Sequence, residues 1–327
     1  MTLNHKTFLG SVAALTLLGV LAPAEDAQAR THHNDVTEAS ATQFAPVVSP
    51  YIPSSVRFAG ETIGLDDVSM AERLDRELSA MAYTHGNTML VIKRANRYFP
   101  QLIPILKRNG VPEDIVYLAA IESSLNPRAV SSAKAAGMWQ FMPATAKEYG
   151  LEVSTEVDER YDVEKSTEAA CRYLKNAYAK YGNWESVAAS YNGGMGRIST
   201  ELEAQQADSA YDLWLAEETM RYPFRMLAMK MILETPADYG FHLTADNLYQ
   251  PFEYETVSVS GPVADWPQWA IDNGTDYRTL REHNPWIRSK QLTNKAGKTY
   301  KVKIPKRDSL SRSKQKTVVY NSAWTGK

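Results

Sequence analysis

From Met70 to about Tyr239 the chain places apolar residues at helical spacing. Leu74, Leu78 and Met81 keep one face apolar, and Met89, Ile92, Ala95 and Phe99 carry a second segment. Asn109-Gly110 stops that helix, and Pro112 sits at the first turn of the next, the usual asymmetry of helix ends. The following run, Ile115 to Ile121, is continuously apolar; Asn126-Pro127 then predicts a helix end at about Leu125, because proline disfavours helical dihedrals in the residue before it. Ala170, Leu174, Ala177, Tyr178 and Tyr181 trace a buried face closed by Gly182-Asn183. Trp184, Val187, Ala188 and Tyr191 trace another, closed by Asn192-Gly193-Gly194. A further helix runs from about Glu217 to Leu233, with Tyr222, Met226, Met229 and Ile232 on related faces.

Past Tyr239 the period changes. Phe252 to Val259 alternates like a strand, Trp266–Asn273 and Tyr277–Asn284 form two short helices, and Tyr300 to Ile304 alternates again before Pro305. The pattern therefore predicts a mainly α protein with a small α+β domain behind it. The expected boundaries are an export signal at 1–29, a polar linker at 30–65, a helical domain at 66–245, a βααβ domain at 251–306 and a basic tail at 307–327.

The amino-terminal stretch has the order of a cleaved secretory signal. Lys6 precedes an apolar run from Phe8 to Ala22, and small residues end at Ala24 or Ala29. That run is too short to span a bilayer, and no later segment is long and apolar enough, so an exported, periplasmic chain with no membrane span after cleavage is expected. Cys171 is the single cysteine, so no intramolecular disulfide is possible, and its Ala-rich helical setting makes it a small core residue. Stability must come from the core, for which about 300 residues are ample.

Charge is close to balanced overall but unevenly spread. From Pro251 onward there are 14 Lys and Arg against 7 Asp and Glu, while the rest of the chain has 22 against 31. A basic end suits an anionic polymer or a membrane surface as well as a solvated face. No nucleic-acid module is present, and no cofactor motif or metal set is expected, His32-His33 falling in the polar stretch. No feature specifies an oligomeric state.

Among the acids, Glu122 is set up for chemistry. It closes the apolar run in the last helical turn, where the backbone dipole and burial both disfavour ionisation. A raised pKa is what a carboxylic acid needs to give up a proton near neutrality. No Asp or Glu follows until Glu148; Glu152 and Glu217 are the distant carboxylates that could fold back.

In order, the helical region contains Glu122-Ser123, Ser131, Gly137-Met-Trp-Gln-Phe-Met142, Ala189-Ser-Tyr-Asn-Gly-Gly194 and Arg221-Tyr222. Over about Leu90 to Leu233 this resembles the lytic transglycosylases with a goose-type-lysozyme-like fold, in texture closest to the membrane-bound transglycosylase D group. Gly193 followed by Gly194 departs slightly from the usual block. The resemblance implies a lysozyme-like catalytic domain that cleaves peptidoglycan glycan strands without water. In that reaction Glu122 protonates the oxygen between N-acetylmuramic acid and N-acetylglucosamine. The same carboxylate, now ionised, takes the muramoyl C6 hydroxyl proton, closing a 1,6-anhydro ring, and the substrate's acetamido group replaces a second carboxylate.

Of the remaining residues, Tyr191 and Tyr222 would hydrogen-bond Glu122, Gln140 and Asn192 would meet sugar amides, and Met142 would form an apolar wall. Ser123 and Ser131 would hold a carboxylate or carbonyl oxygen. The small domain resembles a LysM module through Val257-Ser-Val, Gly274-Thr275, Leu280, Asn284-Pro285, Leu292 and Val302-Lys-Ile-Pro305, although Val263-Ala-Asp265-Trp266 stands where Gly-Asp-Thr-Leu is usual. The alternatives are a hydrolytic muramidase on the same fold and a non-catalytic wall-binding protein.

Overall fold

The computed structural model describes residues 48–295 and 297–326. The export signal and His32-His33 lie outside the described residues. A hairpin comes first, with β1 at Ser55–Phe58 antiparallel to β2 at Glu61–Gly64. Ala59 and Gly60 both have positive φ (52° and 92°), the geometry of the tight two-residue turn that matches strand twist. Val56 and Phe58 enter the main core, so this end of the stretch expected as linker is packed structure. Its strands are only four residues long, too short to display a period.

Eight helices follow in the helical region: α1 (Val68–Tyr83), α2 (His85–Arg108), α3 (Val116–Ser123), α4 (Pro143–Glu148), α5 (Val163–Tyr181), α6 (Trp184–Gly193), α7 (Met195–Gln205) and α8 (Glu217–Glu234). Asp67, Asp162 and Asn183 cap α1, α5 and α6 with side-chain oxygens on free amide groups. The short apolar α3 is almost wholly buried and packs against α2 and α8. It ends at Ser123 rather than Leu125, because Ser124 and Leu125 both turn left-handed (φ 51° and 55°). Cys171 is buried in α5, and burial pushes its thiol up to about 12, leaving it an inert core group.

The small domain is β3 (Tyr254–Val259), α9 (Trp266–Asp272), α10 (Tyr277–His283) and β4 (Tyr300–Pro305), with β3 antiparallel to β4 and Val257 opposite Val302. It is docked on the helical domain. Ala136, Val157 and Tyr161 share one apolar cluster with Trp266, Leu280, Trp286 and Ile287. Asp158 donates its amide to the Trp286 carbonyl (2.9 Å), and Arg288 donates its own to the Glu156 carbonyl (2.8 Å). Glu152 takes Lys298 (2.8 Å) and the Tyr300 hydroxyl (3.0 Å), and so is committed to this junction.

The last residues do not form the basic polar tail expected from their composition. They fold back over α2, where Asn96 donates to the Val318 carbonyl (2.9 Å) and accepts the Tyr320 amide (2.8 Å). Trp324 is 2% exposed, meets Phe99 edge-on (5.8 Å between centroids) and donates its indole N–H to the Leu233 carbonyl (2.6 Å). Five of the six charged residues in this stretch are basic, but one buried indole anchors it. Trp324→Ala should cost about 3 kcal/mol, read as a lower urea midpoint with lost near-ultraviolet ellipticity. Among the described residues no helix is long and apolar enough to cross a membrane.

Candidate active site

Glu122 sits in the last turn of α3 and is half-buried. The left-handed pair Ser124-Leu125 swings the chain away directly behind it, and that turn is tied to α2 twice: Arg94 donates to the Ser124 carbonyl (3.0 Å), and the Ser124 hydroxyl donates to Asn87 (3.0 Å). Tyr222, from the middle of α8, is 1% exposed and donates its phenol O–H to a Glu122 oxygen. Burial lifts the Glu122 carboxyl above the ordinary carboxylate range. The Tyr222 hydroxyl and the Arg225 guanidinium pull it part of the way back, and Glu218 adds to the rise. The result is a carboxyl that keeps its proton longer than usual and still has partners for its ionised form.

Arg225 was not singled out in the sequence. Three residues after Tyr222, it shares that residue's face of α8, and its Nη2 lies 3.4 Å from the Ile121 carbonyl oxygen. Ile121, Ser124, Glu218, Arg221 and Arg225, but not Glu122 itself, wall a depression of about 570 Å3. Within it Arg221 is spent on the buried Glu77 (2.6 and 3.0 Å). Glu217, which could have folded back on Glu122, pairs with Arg76.

The Gly137-to-Met142 block forms a tight loop beside α5. Trp139 is fully buried and donates to Thr167 (2.8 Å), so it belongs to the core. Gln140 has φ 49°, and its amide nitrogen donates to the carbonyls of Gly137 (2.8 Å) and Ala129 (3.2 Å). Its donor is therefore consumed by the loop, and the amide oxygen is the acceptor left for a ligand. Met142 is 44% exposed at the start of α4 and can serve as an apolar wall.

The other expected contacts divide. Tyr191 does not hydrogen-bond Glu122; its hydroxyl donates to the Trp139 carbonyl (2.7 Å) and its ring packs edge-on against Tyr173 (5.1 Å). Burial, and next the Glu122 charge, hold its phenol far above its ordinary value, so it stays neutral beside the acid. Asn192 accepts a hydrogen bond from Thr219 at the start of α8 (2.8 Å), which orients its amide. Ser123 is buried and donates to the Ala119 carbonyl one turn back (3.1 Å), so it holds α3 rather than a ligand. Ser131 is exposed, and its oxygen accepts the Ala135 amide (3.0 Å) within its own turn; no contact joins it to Glu122. Tyr173 and Thr219 carried no local sequence signal.

Tyr222→Phe removes a hydrogen bond that favours the ionised carboxylate. Such bonds to charged groups are worth about 1.5–3 kcal/mol, so a rate dependent on ionised Glu122 should fall about tenfold to a hundredfold. The alkaline limb of the pH–rate profile should move upward, since the carboxyl then holds its proton more tightly. A rate loss with an unmoved limb would mean that Tyr222 only packs.

Residues 103–213 match the transglycosylase SLT domain, and residues 255–308 match the soluble lytic transglycosylase C-terminal LysM-like domain. The first match contains Glu122, Gln140 and Asn192 but stops short of Tyr222, which the fold alone brings to the acid. The chain is similar to membrane-bound lytic murein transglycosylase D of Escherichia coli strain K12, 30% identical over 241 residues, covering 72% of this chain and 51% of that protein. It is also similar to membrane-bound lytic murein transglycosylase C of Pectobacterium atrosepticum, 25% identical over 222 residues, covering 61% of this chain and 62% of that one. The chain thus spans about half the length of the first of these relatives. Among solved structures, the 70 kDa soluble lytic transglycosylase of Escherichia coli matches at 20% identity over 49% of this chain and 30% of that one, with a TM-score of 0.39.

Proposed function

We propose that this chain, which carries a transglycosylase SLT domain followed by a LysM-like domain and is homologous to membrane-bound lytic murein transglycosylase D, is an exported peptidoglycan lytic transglycosylase. The observation that carries the reading is the pairing of a desolvated Glu122 with the buried Tyr222 hydroxyl and the nearby Arg225. A carboxyl of raised pKa is protonated often enough to serve as the acid. Glu122 protonates the glycosidic oxygen, and the bond from that oxygen to the muramoyl C1 breaks, freeing the N-acetylglucosamine hydroxyl. The substrate's acetamido group stabilises the electron-poor C1, the exception to two-carboxylate catalysis. Tyr222 and Arg225 hold the ionised Glu122 until it takes the C6 hydroxyl proton. The C6 oxygen then bonds to C1, and the acid is regenerated with no water consumed. Gln140, Met142 and Asn192 supply the acceptor, the apolar wall and the oriented amide for the sugars.

Glu218, exposed on the first turn of α8, is the carboxylate whose charge reaches Glu122, and a hydrolytic muramidase would use it as the second carboxylate. Mass spectrometry of muropeptides from digested sacculi decides between the two. Products ending in 1,6-anhydro-muramoyl residues are expected; reducing ends, heavier by one water, would overturn the transglycosylase reading and direct attention to Glu218.

A further inference from the structure

One short stretch of the helical domain, residues 156–161, faces two ways. Toward the LysM-like domain it pairs like a strand. Val157 lies opposite Ile287, with the Asp158 amide on the Trp286 carbonyl (2.9 Å) and the Arg288 amide on the Glu156 carbonyl (2.8 Å). The Glu156 carboxylate accepts both the amide and the hydroxyl of Thr293 (2.8 and 2.9 Å). Val157 and Ile287 are fully buried in one apolar cluster, and the Arg288 guanidinium lies 4.4 Å from the centre of the Tyr161 ring. Toward the helical domain, the Arg160 guanidinium donates to the carbonyls of Lys134 and Phe141, and the Arg160 carbonyl lies hard against Gly137.

The loop held in this way carries site residues. Ala136 and Phe141 exchange both backbone hydrogen bonds (3.1 Å each) and close the loop between them. The Ala136 methyl packs in the same cluster as Trp266, Trp286 and Ile287 of the small domain. Within the loop, Gly137 and Gln140 both have positive φ (84° and 49°). A non-glycine residue keeps that conformation only where its surroundings fix it. Gln140 presents the acceptor left for a sugar, and the Trp139 carbonyl receives the Tyr191 hydroxyl beside the acid. The connection between α10 and β4 therefore reaches the catalytic loop through residues 156–161, and its Ile287 and Thr293 are spent on the helical domain.

We propose that the LysM-like domain is a working part of the active site, with Ile287 as a positioning residue that holds the Gly137–Met142 loop through residues 156–161. Its contribution is then to turnover and not to retention on the wall. This rests on the transglycosylase reading. The test uses the full chain on two substrates, intact sacculi and a soluble tetrasaccharide of the same glycan, with rates referred to the folded fraction from circular dichroism. A shift of about 1 Å at a site can cost up to about a hundredfold. Ile287→Ala should accordingly lower kcat about tenfold, by the same factor on both substrates, and Ile287→Val should keep most of the parent rate. A loss confined to sacculi, a rise in KM with kcat unchanged, or a lower urea midpoint with kcat unchanged overturns the proposal.

If Ile287→Ala does not fold, Glu156→Ala decides, since it removes only the two hydrogen bonds from Thr293. A lower kcat on the tetrasaccharide supports the positioning role, and the parent kcat overturns it. Failure of the parent to cleave either substrate would refute the transglycosylase reading instead. The brace is then judged by the NMR signals of the Gln140 side-chain amide, which donates to Gly137 and Ala129. Signals displaced or broadened in Ile287→Ala or Glu156→Ala support it; signals identical to the parent's overturn it.

Discussion

Glu122→Gln should abolish lysis of sacculi, with a fall of at least about a thousandfold, because one carboxyl supplies both the proton given and the proton taken back. The fold should survive. Glutamine has nearly the shape of the protonated acid and can still accept the Tyr222 O–H, so circular dichroism should match the parent. The stability effect has a definite sign. The folded Glu122 carboxyl is raised above its ordinary value, with burial as the largest cause. Its contribution to stability is therefore fully present below the unfolded pKa and is lost as pH rises through the folded value. Above the folded value the parent carries an ionised group in a desolvated place and the variant does not. The variant should melt no lower than the parent there, and its relative advantage should shrink as pH falls toward the ordinary Glu range. In the parent, the raised value carries the alkaline limb of activity toward neutrality, and the rate should decline as pH climbs past it. A variant clearing sacculi at the parent rate would remove Glu122 from the reaction.

The sequence displayed the parts of this molecule whose information is periodic. The long helices α1, α2 and α5 bury one face each, and their apolar positions recur at the matching spacing, whereas α6 and α8 are buried on nearly every side. The short α4 carries too few apolar positions for a period, and α7 starts at Met195, directly behind a Gly-Gly pair that reads as a stop. The carboxyl terminus misled through composition, because a stretch rich in lysine is anchored by Trp324 and by Asn96 from more than two hundred residues earlier. At the site, Glu122 was legible from its apolar run and the helix break behind it. Of its partners, Tyr222 came only through the family resemblance and Arg225 not at all. Tyr222 stands 100 positions away, and Tyr191 turns its hydroxyl to a carbonyl 52 positions away, distances that no local pattern encodes. Ser123 illustrates the limit most clearly: its neighbour carries the chemistry, but its own hydroxyl bonds one turn back into the helix, where a ligand cannot compete for it.

Gly137→Ala should destabilise the protein by at least about 4 kcal/mol, through a clash that the loop cannot relieve. Gly137 has φ +84°, and an added Cβ would lie 1.8 Å from the Arg160 carbonyl oxygen and 2.6 Å from its carbon. That carbonyl cannot retreat. Arg160 is buried, its guanidinium is paired with Asp158 (2.7 Å), and it donates to the carbonyls of Lys134 (2.9 Å) and Phe141 (3.0 Å), which flank Gly137 on both sides. Moving either strand of the contact breaks a buried charged network, which is costly when one partner is left behind. The same loop presents Gln140 and the Trp139 carbonyl that receives Tyr191, so the surviving folded fraction should also turn over more slowly. Gly110→Ala separates the two sources of cost. Gly110 has a comparable φ of +70° but nothing within 4 Å of a new Cβ, so it should lose only the backbone term of about 1 kcal/mol and keep full activity. Urea denaturation of both variants reads the difference directly. Equal midpoints would mean that the Arg160 carbonyl yields, and that Gly137 is required for its dihedral angle alone.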